Sequence, residues 1–190
     1  VQRIIKETVR NKISFLTLYA FSTENWKRPK KEINFLFNLL ENFLLTKTSE
    51  LNKNQTKLMI IGDKKILSKK LNKIIQNSEK ITENNKKLQI NLAINYGSKS
   101  EIIRAVKIIS IKKKKINEIN ISKNLYTKEI PDPNLLIRTG NTKRLSNFLL
   151  WQSSYTEIFF EKKLWPDFTI DDYNKILNKY RKLKINFGNI

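Results

Sequence analysis

Residues 14–29 read SFLTLYAFSTENWKRP. The first part, Ser14 to Ala20, is an apolar run with the length and composition of a buried strand. A polar loop follows from Ser22 to Arg28, and then comes Pro29, a residue favoured at the start of a helix. From Lys31 to about Ser49 the apolar residues recur with helical spacing, which predicts an amphipathic helix. The stretch is therefore a unit of strand, polar loop and helix.

The same alternation continues to the end of the chain. We expect further strands at residues 57–61, 88–94, 134–137 and 157–160, and helices at 66–75, 98–109, 146–154 and 170–184, and we allow a short helix near 122–128. Asp63 is a candidate cap for the second helix, and Ser98 with Glu101 forms a capping-box pattern before the third.

Strands that alternate with helices predict an α/β fold in which a mostly parallel sheet is flanked by helices on both faces. No linker or internal repeat divides the sequence, so we expect residues 1–190 to form a single domain. Ligands of such sheets bind beyond the carboxyl ends of the strands. The two unusual loops, Ser22–Arg28 and Arg138–Arg144, follow predicted strands and are expected at that edge.

The composition excludes several kinds of site. The 190 residues contain no cysteine and no histidine, which excludes disulfides, thiolate zinc sites, cysteine nucleophiles and a Ser-His-Asp triad. A metal ion must take oxygen ligands, which favours Mg²⁺. No apolar run approaches the length of a membrane span, and no signal peptide opens the sequence, so a cytoplasmic location is the default expectation.

The formal net charge of +21 has two readings. It is compatible with nucleic-acid binding, but 31 of the 38 basic residues are lysines in a sequence also rich in Ile and Asn, which indicates compositional drift. The run Lys112–Lys115 has no interleaved aromatic residue that could stack on bases. We therefore favour drift, and note that a cationic surface also attracts anionic lipids and diphosphates.

The scarce arginines mark two candidate sites. The loop Ser22–Arg28 offers hydroxyls, an amide, an indole and a guanidinium, and the alternative is a capped loop with Trp26 packed in the core. The loop Arg138–Arg144, with Ser146 as a candidate helix cap, suits a diphosphate because guanidinium forks and helix-start N–H groups bind phosphate. Its alternative is a basic surface loop. Glu157 is either a Mg²⁺ ligand or an ordinary charge at a strand end.

These segments resemble the signatures of a known family. Residues 16–29 and residues 132–140 with 144–152 closely resemble the two main signatures of the cis-prenyltransferases, and the bacterial undecaprenyl diphosphate synthases are the nearest match. Residues 60–63, 95–97 and 164–168 resemble further segments of that family. The absence of a GxxxxGK[ST] loop and of GxGxxG disfavours nucleotide-binding folds.

The resemblance implies a chemistry. Members of the family condense isopentenyl diphosphate repeatedly onto an allylic diphosphate such as farnesyl diphosphate, with Mg²⁺, as homodimers with a hydrophobic tunnel. Carried over by position, Asn25 is the proton acceptor or positions it, Ser22, Thr23, Glu24, Trp26 and Arg28 contact substrate, Arg138, Arg144, Leu145 and Ser146 hold the isopentenyl diphosphate, and Glu157 is a metal ligand. The helix from Lys31 to Ser49 supplies tunnel wall. A lipid product implies peripheral contact with a membrane, and no nucleic acid is expected.

The sequence departs from the family pattern at both ends. The opening strand and its Asp-Gly-Asn-Gly-Arg loop, which carries the principal metal-binding Asp, are not found, and Val1 falls within what resembles the following helix. We expect either a fragment or alternative-start product, or a protein unable to ionise its allylic substrate. Near the end, Asn186 stands where many relatives carry Arg, which puts a phosphate contact across the dimer in doubt.

Three functions remain open from the sequence. The leading one is a cis-prenyltransferase that makes a polyprenyl diphosphate for cell-wall synthesis. The second is an inactive or partner subunit of a prenyltransferase, which the missing Asp loop suggests. The third and least favoured is a basic nucleic-acid-binding protein.

Overall fold

The computed structural model describes residues Val1–Lys184, and the tail that includes Asn186 lies outside the described residues. The helices in this part of the chain are α1 Gln2–Arg10, α2 Lys30–Lys53, α3 Lys69–Thr82, α4 Ser98–Ile111, α5 Glu118–Ser122 and α6 Ile170–Arg181. The strands are β1 Phe15–Ser22, β2 Thr56–Ile61, β3 Leu88–Tyr96, β4 Leu135–Arg138 and β5 Glu157–Phe160.

Strand β3 is the centre of the larger sheet. It pairs in parallel with β1 on one side and with β2 on the other, in the order β1-β3-β2. Strands β4 and β5 pair in parallel in a second sheet. The predicted α/β class with parallel strands and flanking helices is therefore confirmed, and in the described residues the strands divide into two sheets.

The core follows from the alternation of side chains along β3. Ile90, Leu92 and Ile94 lie in one apolar cluster with residues of α2 and α3, whereas Ala93 packs with Leu149 of the loop between β4 and β5. Tyr96 joins the cluster of Ala93 because the left-handed conformation of Asn95 (φ 47°) breaks the alternation before it. Helices α4 and α5 share a cluster around Ile109 and Leu125, and α1 and α6 pack against β4. Burial of this apolar area, at about 25 cal/mol per Å², is the main favourable term in folding.

A groove of about 600 Å³ separates the two sheets. It is lined by residues 13–18 of β1 and the turn before it, and by residues 130–137 leading into β4. Among the described strands, β1 pairs only with β3 and β4 pairs only with β5. Each of these two strands therefore has one edge without a strand partner in this part of the chain. Both of these edges border the groove.

The predicted helix at 146–154 is wrong. Ser146, Asn147 and Leu149 have φ values of 50°, 62° and 47°, and the left-handed region is incompatible with a right-handed α-helix. The segment consists of turns. Ser146 is therefore no helix cap, and the expectation of helix-start N–H groups there fails with it.

Three smaller expectations also change. The short helix lies at Glu118–Ser122, before the predicted 122–128, because the side chain of Asn117 caps it. Asp63 caps a single 3₁₀ turn, and Ser68 caps α3. The residue before helix α4 is Gly97, which has no side chain to cap it, so Ser98 and Glu101 form no capping box.

Glu101 instead has a buried structural role. Its carboxyl accepts hydrogen bonds from the Tyr96 hydroxyl at 2.6 Å, the Tyr126 backbone N–H at 2.6 Å and the Gln152 amide at 3.2 Å. The side chain is fully buried. One carboxyl thereby ties the end of β3 to the two long connections that follow α4.

We expect Glu101→Ala to lower the free energy of unfolding by roughly 3 kcal/mol, because three donors lose their acceptor inside the protein. Urea denaturation measures the change. The matched control is Glu129→Ala, since Glu129 is exposed and, within residues 1–184, its ion pair is with its neighbour Lys128. It should change stability by no more than about 0.5 kcal/mol. Equal effects of the two variants would contradict this role.

Candidate functional site

The first site loop begins at the carboxyl end of β1. Ser22 lies opposite Tyr96 of β3, after a bulge at Ala20 that disturbs the register of the pair, and bulges of this kind re-aim side chains. Residues Thr23–Lys27 form a 3₁₀ helix. Within it, the side-chain oxygen of Asn25 accepts the Ser22 backbone N–H at 2.9 Å. The amide nitrogen of Asn25 has no acceptor among the described residues, so Asn25 presents a donor to the site.

Trp26 anchors this loop to the core. Its ring stacks on Phe37 of α2 at 5.5 Å and meets Phe21 edge-on at 5.2 Å. The indole N–H donates to the side chain of Asn95 at 2.8 Å. Asn95 in turn donates to the Asp63 carbonyl at 2.8 Å. Trp26 is therefore packed against the core, which is one of the two alternatives that the sequence left open.

Arg28 lies at the same end of β1 but is turned toward α2. Its guanidinium contacts Glu32 at 2.5 Å, and its side chain is 47% exposed. Exposed ion pairs of this type contribute little to stability. The guanidinium is thus free to exchange its partner for a substrate phosphate at small cost.

The second site loop follows β4. Arg138 is half-buried and donates from two guanidinium nitrogens to the Thr142 hydroxyl, at 3.0 and 3.2 Å. Gly140 has φ +92°, a conformation that favours glycine, and its N–H donates to the Lys163 carbonyl at 2.8 Å. The nearest atom to a Cβ built on Gly140 is 3.9 Å away, so backbone conformation explains this glycine and close approach does not.

Lys163 belongs to a polar support beneath that loop. Its ammonium group contacts Asp172 in the first turn of α6 at 2.8 Å. Hydrogen bonds from Lys163 and Thr169 lower the pKa of Asp172 to about 2. Asp172 therefore stays charged at neutral pH, where it pairs with Lys163.

The two loops meet over the end of β1. Tyr19 stacks on Phe148 with ring centroids 4.3 Å apart, and its hydroxyl donates to the Tyr96 carbonyl at 3.1 Å. The Asn147 amide donates to the Glu24 carboxylate at 2.8 Å. Burial raises the pKa of Tyr19 to about 12, so the hydroxyl remains a donor at neutral pH.

Glu24 is held as a carboxylate by this contact. Partial burial acts to raise its pKa, but hydrogen bonds from Asn147, its own backbone, Ser22 and Thr23 outweigh it and lower the pKa below its usual range. The place where the two loops meet thus carries the negative charge of Glu24 beside the basic loop Arg138–Arg144.

Not every predicted site residue joins the others. Arg144 and Ser146 are exposed and Leu145 is half-buried, all within the second loop. Glu157 is the first residue of β5, whereas Arg138 pairs with Phe160 three positions further on. At about 3.3 Å per residue this separates Glu157 from the level of Arg138 by about 10 Å along the sheet.

The arrangement of the acidic side chains gives little support for a metal site. The part of the chain described here holds no group of three acidic side chains close enough to bind an ion. A single carboxylate fits Mg²⁺ only where a substrate diphosphate supplies further oxygens. Glu157 as a ligand remains a prediction.

Sequence reasoning missed the residues that join the loops. Tyr19 and Asn147 lie within the two family signatures, but the sequence alone assigns neither of them a role. Asn147 was itself a signal of a turn, because asparagine is enriched at left-handed backbone conformations.

The comparisons with known proteins identify the family of this chain. Residues 1–188 match the family model for undecaprenyl diphosphate synthase. An isoprenyl transferase from Rickettsia typhi is 42% identical over 189 residues, which covers 99% of this chain and 84% of that protein. The chain belongs to the undecaprenyl diphosphate synthase family. It is a cis-prenyltransferase of the isoprenyl transferase type.

Solved structures support the same assignment for the cis-prenyltransferase. A crystal structure of a probable undecaprenyl diphosphate synthase from Campylobacter jejuni is 43% identical with a TM-score of 0.91, and the match covers 99% of this chain and 89% of that one. Lavandulyl diphosphate synthase from Lavandula x intermedia, solved with dimethylallyl diphosphate, is 35% identical with a TM-score of 0.94, over 99% and 84% of the chains. The described helices of this protein include none with the length and apolar character of a membrane span.

We expect Trp26→Phe to lower the free energy of unfolding by about 1 kcal/mol, because ring stacking persists while Asn95 loses its donor. Chemical denaturation measures the change. The control is Trp151→Phe, which removes an exposed hydrogen bond to Ser122 and should cost less than about 0.5 kcal/mol. Wild-type stability of the Trp26→Phe protein would contradict the structural role of the indole hydrogen bond to Asn95.

Proposed function

We propose that this protein transfers isopentenyl units from isopentenyl diphosphate onto farnesyl diphosphate or a similar allylic diphosphate. The product is a cis-polyprenyl diphosphate, and we favour undecaprenyl diphosphate for cell-wall synthesis. The observation that carries the proposal is the meeting of the loops after β1 and β4 at one rim of the fold. The hydrogen bond from Asn147 to Glu24 joins the two loops, and the proposal assigns the hydroxyls and the Asn25 amide of the first loop and the guanidinium of Arg138 in the second to one site.

The second loop binds the diphosphate of the isopentenyl substrate. Arg138 uses only part of its five-donor guanidinium on Thr142, and Arg144 and Ser146 add a second fork and a hydroxyl. Fixed positive charge here holds the reacting double bond in place and stabilises negative charge on the phosphates. The structure of lavandulyl diphosphate synthase with dimethylallyl diphosphate supports diphosphate recognition by this fold.

The first loop acts at the reacting carbon atoms. The C–O bond of the allylic diphosphate breaks and diphosphate leaves, the double bond of the isopentenyl unit attacks that carbon, and a proton then passes from the isopentenyl C2 to an oxygen of the released diphosphate. Ser22, Thr23, Glu24, Trp26 and Arg28 would contact the substrates. Asn25 is proposed to orient the departing proton, with its oxygen already accepting one hydrogen bond from Ser22.

The growing prenyl chain needs an apolar channel. Helix α2 carries Leu36, Phe37, Leu40 and Phe43, each only partly buried against the sheet. A smaller cavity of about 280 Å³ lies further along this helix, between α1 and α2. We propose that the chain extends along α2, where each buried CH₂ contributes roughly 0.8 kcal/mol.

Further properties follow from the family relationship. Mg²⁺ is proposed to bind with the diphosphate, with Glu157 as its protein ligand, and to supply charge neutralisation when bound. We also propose a homodimer, and a cytoplasmic protein that touches the membrane surface where its lipid product leaves.

We expect Arg138→Lys and Arg144→Lys each to raise the KM for isopentenyl diphosphate by about 10- to 100-fold, since lysine cannot reproduce a bidentate fork. The assay follows labelled isopentenyl diphosphate into polyprenyl product with farnesyl diphosphate and Mg²⁺. Arg3→Lys is the control, because Arg3 is an exposed residue of α1 that lines neither cavity. Unchanged KM values in both site variants would count against the proposed binding loop.

We propose that the groove between β1 and β4 holds one further parallel strand. Both bordering strand edges can pair, and Gln152, which lines the groove, has a buried side-chain oxygen with no partner among the described residues. A strand that precedes α1 would reach this position by a right-handed crossover. It would also bring the Asp-Gly-Asn-Gly-Arg loop of the resemblance to the rim.

A chimera that adds the N-terminal segment of the Rickettsia typhi relative before Val1 tests this proposal. The carbonyls of Ser14 and Asn134 accept N–H groups from β3 and β5, so the alternate N–H groups of Phe15, Thr17 and Leu135 face the groove. We expect slower amide exchange at these three residues, because their N–H groups gain an acceptor. Exchange rates equal to those of the 190-residue chain would contradict the proposal. Product formation by the chimera alone would favour the enzyme over a partner subunit.

A further inference from the structure

Asn147 contacts two other parts of the chain at once. Its backbone carbonyl accepts the Ser98 N–H at 2.8 Å, and its side-chain oxygen accepts the Lys99 N–H at 2.9 Å. Its side-chain nitrogen donates to the Glu24 carboxylate at 2.8 Å. The residue therefore links the start of α4, the loop after β1 and the loop after β4.

The direction of each bond is fixed by the partner. A backbone N–H can only donate, so the oxygen of the Asn147 amide must face Lys99. An ionised carboxylate can only accept, so the nitrogen must face Glu24. Neither an acid nor an apolar side chain of the same size meets both requirements.

The start of α4 depends on these bonds. The first N–H groups of a helix have no partner within it, and the preceding residue, Gly97, has no side chain to cap them. A Cβ at Gly97 would lie 2.7 Å from the Asn147 amide nitrogen and 2.5 Å from the Thr23 hydroxyl. The three segments are thus in close contact, and Asn147 supplies the acceptors that Gly97 lacks.

The same contacts set the path of the second site loop. Ser146 and Asn147 both have left-handed backbone conformations, which ordinary residues adopt only at an energetic cost. The next residue, Phe148, stacks on Tyr19. Because Arg144 lies three residues before Asn147, the conformation at 146–148 restricts the positions that Arg144 can take.

We propose that Asn147 is a positioning residue that aligns the isopentenyl diphosphate loop with Glu24 and the loop after β1. The inference rests on the proposed function, because alignment of these loops matters only if a diphosphate binds between them. Asn147 itself does not touch the reacting atoms.

The test uses Asn147→Asp, which keeps the shape and the acceptor for Lys99 but turns an oxygen toward the Glu24 carboxylate. We expect the Kd for isopentenyl diphosphate, measured by titration calorimetry, to rise by roughly 10- to 100-fold, and KM to rise in parallel with a smaller change in kcat. Asn178→Asp adds the same charge on the exposed face of α6 and should leave Kd within about twofold.

A second substitution restores the pair with its polarity reversed. In the Asn147→Asp background, Glu24→Gln supplies an amide that donates to the new carboxylate. We expect it to tighten isopentenyl diphosphate binding by about fivefold or more relative to its effect in the wild-type background, as a double-mutant cycle measures.

The outcomes separate the two proposals. If the wild-type chain binds isopentenyl diphosphate but Asn147→Asp changes only thermal stability, or Glu24→Gln gives no recovery, the positioning role is overturned. If the wild-type chain binds no isopentenyl diphosphate, the proposed function is overturned, and this inference with it.

Discussion

Parallel pairing of β3 with two neighbours is the constraint on which the site depends. Nearly every residue of β3 is buried, so its register with β1 and β2 is specified by burial on both faces of the sheet. Because the strands are parallel and in this register, the last residue of β1, Ser22, lies opposite the last residue of β3, Tyr96. The polar loop after β1 therefore lies beside the start of α4, and the long connection between β4 and β5 contacts both of them.

Polar contacts then fix what strand pairing brings together. Glu101 satisfies one donor from the end of β3 and two from the long connections after α4. Asn147 satisfies two N–H donors at the start of α4 and the Glu24 acceptor after β1. In a buried or half-buried setting each such group costs free energy if left unpaired. The conformation of the second loop therefore follows from a small number of hydrogen bonds between residues distant in sequence.

The sequence was sufficient for the elements whose signal is periodic. Strand β1 and helix α2 were predicted from apolar spacing, with α2 running to Lys53, beyond the expected end. The loop Ser22–Arg28 was recognised from its chemistry. The segment 146–154 was mispredicted because its apolar residues imitate helical spacing, while its conformation is set by the contacts of Asn147 with Glu24 and with α4, which lie far away in the sequence. The salt bridge that turns Arg28 toward Glu32 was likewise not readable from the residue types alone.

The central claim is that the loops after β1 and β4, which meet although the two strands belong to different sheets, together bind a diphosphate. It is tested most directly by titrating inorganic diphosphate into isotopically labelled protein at roughly physiological ionic strength, where weak surface attraction is screened. The account predicts that backbone amides of residues 22–25 and of residues 138–147 shift together along one saturation curve. Shifts confined to lysine-rich surface such as Lys112–Lys115, with both loops unperturbed, would contradict it.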